Sequence, residues 1–213
     1  MILDKLVELN QLGIVLASKS PRRSQILKQI GLEFQVVVSD FEENLDKTKY
    51  TPEDYVVANA TIKASSVAKM LREQHISPFP KIIIGCDTVV VYDNKIVEKP
   101  KFKDHAYEML KSFSNNIHHV ISGVAIIING EEESKQVIHT FYERTEVQFD
   151  NLSDSIIHSY VETGEPMDKA GGYGIQGIGG CLITGIRGCY YNVMGFPLNH
   201  FCRTLVSLYP QLF

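Results

Sequence analysis

The period of apolar positions changes repeatedly along the chain, and each change marks an element. Gly13-Ile14-Val15-Leu16-Ala17 is an unbroken apolar run, which predicts a first strand buried on both faces. After Ser18-Lys19-Ser20-Pro21-Arg22-Arg23 the spacing turns helical, with Ile26, Leu27 and Ile30 on one face. Ser20 is placed to cap that helix, Pro21 to open it and Gly31 to end it. Phe34 to Val38 predicts a second strand, and Thr51-Pro52-Glu53-Asp54 opens a long helix towards Met70 or Glu73. Lys81 to Cys86 predicts a third buried strand ending at Asp87, followed by a hairpin over Val89 to Val97 that turns at Asp93-Asn94.

The second half holds a helix from Asp104 through Phe113 and two long strands, His119 to Ile128 and Val137 to Phe149. The turn-prone segment Asn129 to Glu133 separates the strands, and its acidic Glu131-Glu132-Glu133 reads as a wetted hairpin tip. Ser153 caps a helix to Thr163 that Gly164 stops; a short hairpin and a helix from Leu198 to Leu208 close the sequence. Strands alternate with helices early and then follow one another, so the expected class is α/β, a mixed central sheet flanked by helices. Six of the 15 glycines fall between Gly171 and Gly180, where close backbone approach or tight turning is expected.

Composition narrows the picture only a little. At 213 residues the chain suits one domain, or two lobes sharing a core, with 44% hydrophobic and 22% charged residues. A net charge of −4 argues against a nucleic-acid backbone or an anionic membrane as partner, but not against a small anion held in a local cationic pocket. Cys86, Cys181, Cys189 and Cys202 form no C-x-x-C pair and no zinc spacing, so they read as mainly buried reduced thiols. The N-terminal segment mixes Asp4, Lys5 and Glu8 with its apolar residues, unlike a signal peptide or a membrane span. A cytoplasmic setting is expected, in which the sequons Asn59-Ala60-Thr61 and Asn151-Leu152-Ser153 carry no weight.

The chemistry concentrates at strand ends. Arg22 and Arg23 sit in the first turn of a helix, where they oppose the helix dipole at a cost of roughly 0.3–1 kcal/mol each. That placement makes sense if a polyanion arrives to neutralise them; the competing reading is solvated surface charge. Asp87, after an apolar strand, can hold a cation or take a proton from water, or it can simply close the strand in an Asx turn. Glu42-Glu43 and Glu98-Lys99-Pro100 add the mixture of cations and carboxylates that phosphoanhydride hydrolysis needs. Gly172-Tyr173-Gly174-Ile175-Gln176-Gly177 matches G-x-G-x-x-G only formally, since it follows no strand and opens no helix. Lys169 and Gln176 flank glycines that would admit a ligand to the backbone. His118-His119 lie on one strand and point to opposite faces, which disfavours a metal pair, while Phe34, Tyr55, Phe113 and Phe196 read as core.

Taken together and in this order, these segments resemble the Maf family of nucleotide pyrophosphatases from Leu16 to Leu208. The motifs are Ser18-x-Ser20-Pro21-Arg22-Arg23, Glu43, Lys63-Ala64, Asp87-Thr88-Val89-Val90 and Glu98-Lys99-Pro100. Gly164-Glu165-Pro166-x-Asp168-Lys169-Ala170-Gly171 and Tyr173-Gly174-Ile175-Gln176-Gly177 complete them. The resemblance implies one domain over residues 10–210, with the family's elongated, two-lobed, inosine-triphosphatase-like architecture and a cleft between the lobes. It also implies hydrolysis of a nucleoside triphosphate between the α- and β-phosphates, aided by Mg²⁺ or Mn²⁺, and a homodimer.

On the matching positions the resemblance makes Asp87 the general base and Glu43 a second catalytic carboxylate, with Glu43, Asp87 and Glu98 towards the metal. Ser18, Arg22, Arg23, Lys63, Thr88, Lys99, Lys169 and Gln176 would bind the substrate, and Asp168 would assist. Substrate choice in the family tracks the positions of Arg22, Thr88 and Gln176, and this combination resembles the branch that prefers dTTP, UTP and modified uridine nucleotides. The 7-methyl-GTP branch carries Trp, Gln and Glu there. Departures are mild: Cys86 stands where Ala or Ser is usual, and Ser122-Gly123 where Thr-Gly is common. The run Gly195 to Cys202 looks like eukaryotic members, in some of which this domain is fused to a methyltransferase-like one. The alternatives are a purine-directed pyrophosphatase of the inosine-triphosphate type and a non-catalytic nucleotide-sensing regulator of cell division.

Overall fold

The computed structural model describes residues 2–130 and 135–212; the acidic run Glu131-Glu132-Glu133 lies outside them. In chain order the elements are α1 (Leu6–Leu9), β1 (Ile14–Ala17), α2 (Pro21–Gln29), β2 (Gln35–Val36), α3 (Pro52–Glu73), β3 (Ile82–Tyr92) and β4 (Lys95–Val97). Then follow α4 (Lys103–Phe113), β5 (Ile117–Ile128), β6 (Val137–Phe149), α5 (Asp154–Glu162), β7 (Ile183–Arg187), α6 (Tyr190–Val193) and α7 (Leu198–Leu208). The strands form a mixed seven-stranded sheet in the order β2-β1-β3-β5-β6-β7, with β4 paired to β3. β1 runs parallel to β2 and β3, whereas the β3–β4 and β6–β7 pairs are antiparallel. The α/β class read from the alternation of elements is the one observed.

Two compact units divide the chain: Met1–Asp87, Ser122–Glu143 and Gly195–Phe213 form one, and Thr88–Ile121 with Arg144–Met194 form the other. In the first, alternation along the strands decides what faces α3. Val15, Ala17 and Ile83 pack with Ala60, Ala64, Val67, Ala68 and Leu71 of that helix, together with Ala125 and Ile127 of β5. The helix lies close because the residues at the contact are small. A Cβ on Gly85 would sit 2.1 Å from the Ala60 carbonyl oxygen, and one on Gly123 would sit 2.4 Å from the Val56 carbonyl carbon. Thr51 starts α3 by accepting the Asp54 amide at 3.1 Å, as its sequence signal predicts. α7 buries Leu198, Phe201, Cys202, Leu205 and Leu208 on one face.

The second unit has its own core of Val90, Leu110, Phe113, Val147, Phe149, Ile157, Tyr160 and Tyr173 among others. Asp93 and Asn94 take φ of 48° and 57°, the left-handed pair that a two-residue hairpin turn requires. Ser153 accepts the Ile156 amide to cap α5, and Gly164 at φ 75° ends it. His118 is buried: its Nε2 pairs with the Tyr173 hydroxyl at 2.7 Å, and its ring stacks on Phe113 with centroids 4.4 Å apart. Burial first, and the neighbouring His119 second, push its pKa down to about 3. His119 is partly exposed, so the two imidazoles diverge as their adjacency on a strand demands.

Four expectations need correction. The third strand does not end at Asp87 but runs on to Tyr92, because neighbouring side chains satisfy the carboxylate and the backbone can stay extended. The second strand is only Gln35–Val36, an exposed pair at the sheet edge. In place of a late hairpin, β7 pairs with β6 and the chain then coils into α6. Phe34 is half-buried, although Tyr55, Phe113 and Phe196 are core as expected. All four cysteines are free, with Cys86 and Cys202 buried, Cys189 intermediate and Cys181 exposed. Among the described residues no helix is long and apolar enough to cross a membrane.

Replacing Gly85 by Ala forces α3 away from the sheet and is expected to destabilise the protein by about 1–3 kcal/mol. Gly185→Ala, at a position with nothing within 4 Å, should change little; denaturant melts of the two variants test the difference. Stability should also fall on acidification. His118 titrates near 6.5 when unfolded and near 3 in the fold, so the unfolded chain binds more protons throughout that window. The limiting slope is about 1.4 kcal/mol per pH unit. His118→Asn is expected to flatten the loss between pH 6 and 4, and slopes unchanged from the parent in the same melts would remove His118 from the acid response.

Candidate active site

Strand alternation that puts Ile83 and Gly85 against α3 puts Asp87 on the same side of β3. There Asp87 meets two residues one helical turn apart. Lys63 Nζ donates to Asp87 Oδ1 at 2.7 Å, and Asn59 Nδ2 donates to Asp87 Oδ2 at 3.1 Å. Asp87, Lys63 and Asn59 are all buried. The same ammonium lies 2.8 Å from Glu43 Oε1, and the Glu43 side chain is 54% exposed, so this arm of the bridge is open to water. Glu43 comes from the loop after β2. That loop is tied to α3 by the Ser66 hydroxyl, which donates to Asp40 at 2.7 Å, and it is bent where the Ser39 hydroxyl accepts the Phe41 amide. One ammonium thus joins a buried and an exposed carboxylate.

A second cluster stands at the end of β1. The register pairs Ala17 with Gly85, so Ser18 leaves β1 one residue short of the level of Asp87 on β3. The buried Ser18 hydroxyl accepts the Ser20 amide at 3.2 Å and Arg23 Nη1 at 3.1 Å. Arg23 Nε donates to the Gly195 carbonyl at 2.9 Å, and the same carbonyl receives the Cys86 thiol at 3.5 Å. The expected cap at Ser20 is replaced by this arrangement: Ser20 makes no side-chain cap bond, and the Ser18 hydroxyl serves the loop instead. Arg22 and Arg23 are partly buried in the first turn of α2, which holds no acidic residue. Cations at a helix start, beside backbone N–H groups, make a place for an anion.

The remaining sequence candidates belong to the second unit. Thr88 follows Asp87 in β3, while Glu98 and Lys99 are exposed after β4 and Gln176 is exposed in the glycine-rich loop. Lys169 Nζ is 2.7 Å from the Glu165 carbonyl and 2.6 Å from Asp168 Oδ1. Glu165, unremarked beyond its motif, organises that loop. Its carboxylate accepts the Ile178 amide at 2.9 Å, the Gly179 amide at 3.0 Å and the Tyr160 hydroxyl at 3.0 Å. Partial burial opposes ionisation, but these donors hold its pKa below the usual carboxylate range. A Cβ at Gly177 would lie 2.4 Å from Glu165 Oε2, so the glycine there is a packing requirement.

Sequence reasoning overlooked Asn59, which it met only as part of a sequon. The available signal was its four-residue spacing from Lys63 on a helix whose neighbouring contact positions are alanines. Among the described residues no three or more His, Cys, Asp or Glu side chains converge as a metal-holding group. The pair Asp87 and Glu43 remains, a donor set that suits a hard cation arriving with phosphate oxygens rather than one held in a closed cage.

Comparison with known proteins follows the same stretch of chain. The family described as Maf-like protein matches residues 13–208. The chain is 47% identical over 192 residues to a dTTP/UTP pyrophosphatase of Clostridium perfringens, covering 90% of this chain and 95% of that one. It is 45% identical over 196 residues to a dTTP/UTP pyrophosphatase of Clostridium botulinum, covering 92% and 97%. A human protein described as a probable bifunctional dTTP/UTP pyrophosphatase/methyltransferase is 47% identical over 199 residues, which are 92% of this chain but only 32% of the human protein.

Removing the shared ammonium should expose how strongly the site is coupled. Lys63→Met leaves the Asp87 carboxylate buried without its counter-charge and is expected to cost about 3–5 kcal/mol. Asp87→Asn in the same chain should recover much of that loss, because the orphaned charge is gone. A double-mutant cycle by urea unfolding reads the coupling, and strictly additive losses would show that the two groups do not stabilise one another.

Proposed function

The chain belongs to the Maf-like protein family, and on that premise we propose that it hydrolyses dTTP and UTP to the monophosphate and pyrophosphate. Modified uridine triphosphates are included in the proposed range, on the family likeness of Arg22, Thr88 and Gln176. The observation that carries the reading is the bridge Asp87–Lys63–Glu43: a buried carboxylate beside a partly exposed one, joined by a single ammonium.

In this reading the triphosphate lies with phosphate oxygens towards the first turn of α2, where Arg22 and Arg23 supply the charge. Arg23 is already oriented by Ser18 and by the Gly195 carbonyl, so little side-chain freedom is lost on binding. Lys63 is drawn from the carboxylates towards the phosphates as their charge arrives. Asp87 then accepts the proton of the water that attacks the α-phosphorus, and pyrophosphate leaves. Mg²⁺ or Mn²⁺ held by Asp87 and Glu43 would supply Lewis-acid polarisation of the phosphoryl oxygens and neutralise charge on the leaving group. Glu98, Lys99 and Lys169 are proposed to take part on family likeness alone. A cytoplasmic location and a lack of nucleic-acid partners belong to the same proposal, supported by free thiols and a net charge of −4, and a homodimeric state is proposed on family likeness alone.

Pyrophosphate release from a panel of nucleoside triphosphates, with and without Mg²⁺, tests the reading. dTTP and UTP are expected to lead, with kcat/KM at least about tenfold above the purine triphosphates, a difference worth about 1.4 kcal/mol. Orthophosphate as the first product, or a lead for inosine triphosphate, would overturn it.

A further inference from the structure

Asn59 makes a contact that a purely packing residue would not need. Its Nδ2 donates to Asp87 Oδ2, while its own Oδ1 is buried with no hydrogen-bond partner. The side chain is 0% exposed, so water does not compensate that oxygen by bathing the residue. The orientation is not interchangeable: turning the amide round would set its oxygen against the Asp87 carboxylate, acceptor against acceptor. An apolar side chain of similar size would fill the same space without leaving a buried carbonyl unsatisfied. What the amide adds is one N–H aimed at the carboxylate.

We propose that Asn59 is a positioning residue for Asp87, fixing the plane of its carboxylate throughout turnover; this rests on the reading of Asp87 as the proton acceptor. Lys63 alone cannot do this. Its ammonium is shared between Asp87 and Glu43, and it is the cation a triphosphate would attract. Asn59 is neutral and has no such competing attraction, so its hold on Oδ2 persists when Lys63 turns to phosphate. The four-residue spacing on α3 gives each carboxylate oxygen its own donor: a mobile cation for Oδ1 and a fixed amide for Oδ2.

The experiment is steady-state pyrophosphate release from UTP with Mg²⁺, together with thermal melts, on the full chain carrying Asn59→Leu. Loss of carboxylate orientation is expected to lower kcat roughly 10–100-fold. KM should stay within about threefold, a change of about 0.65 kcal/mol. Tm is expected to fall only modestly, the lost donor to the buried carboxylate being offset in part by removal of the unsatisfied carbonyl. Should the leucine variant not fold, the isosteric pair Asn59→Thr and Asn59→Val decides: the hydroxyl variant, which can still donate, should turn over faster than the valine variant. Parent-like kcat in the leucine variant, a loss carried by KM rather than kcat, or equal rates for threonine and valine would each overturn the proposal. Asp87→Asn is assayed alongside. If it kept parent turnover, the general-base reading would fail and the proposal with it; if it lost turnover while Asn59→Leu did not, only the proposal would fail.

Discussion

Burying a carboxylate in the middle of a strand is the constraint around which the first unit is arranged. Asp87 is 5% exposed in β3, and an uncompensated charge there would cost several kcal/mol. Compensation comes from one helix, because Asn59 and Lys63 reach the two carboxylate oxygens from successive turns of α3. They can reach only if the helix axis lies very near the sheet, and Gly85 and Gly123 make that approach possible by removing the side chains that would otherwise meet α3 backbone. Packing and chemistry are therefore not separable here: the glycines that let α3 descend also deliver the donors to Asp87.

The electrostatic design is local rather than global. The chain is acidic overall, yet α2 opens with two arginines and no acidic residue, against the preference of a helix start. Arg23 is held in place in part by the Ser18 hydroxyl and the Gly195 carbonyl, which orient its guanidinium. Lys63 is held between carboxylates on both sides.

In the second unit a carboxylate has the opposite duty. Glu165 accepts two amides and a hydroxyl from the glycine-rich loop and the end of α5. Gly174 and Gly177 are accordingly spacers around that carboxylate and the Lys169 stem. The buried His118–Tyr173 pair ties the same loop to β5. Gln176 is thus presented to solvent from a loop whose base is anchored at several points.

The order of the long elements, the α/β class, the two long strands, the hairpin turn at Asp93-Asn94 and the caps at Thr51 and Ser153 were all legible in the sequence. Each is written in local terms: apolar period, left-handed φ tolerance, or a hydroxyl before a helix. The place of Arg22 and Arg23 in the first turn of α2 was legible too, because Pro21 marks where that helix opens. The extent of β3 was not, since Asp87 reads as a strand terminator until Lys63 and Asn59 are brought to it from 24 and 28 residues away. Nor was the role of Asn59, whose meaning depends on which face of α3 meets which face of β3. Local sequence specifies conformations; only tertiary packing decides which distant polar groups satisfy one another, and here that decision makes the site.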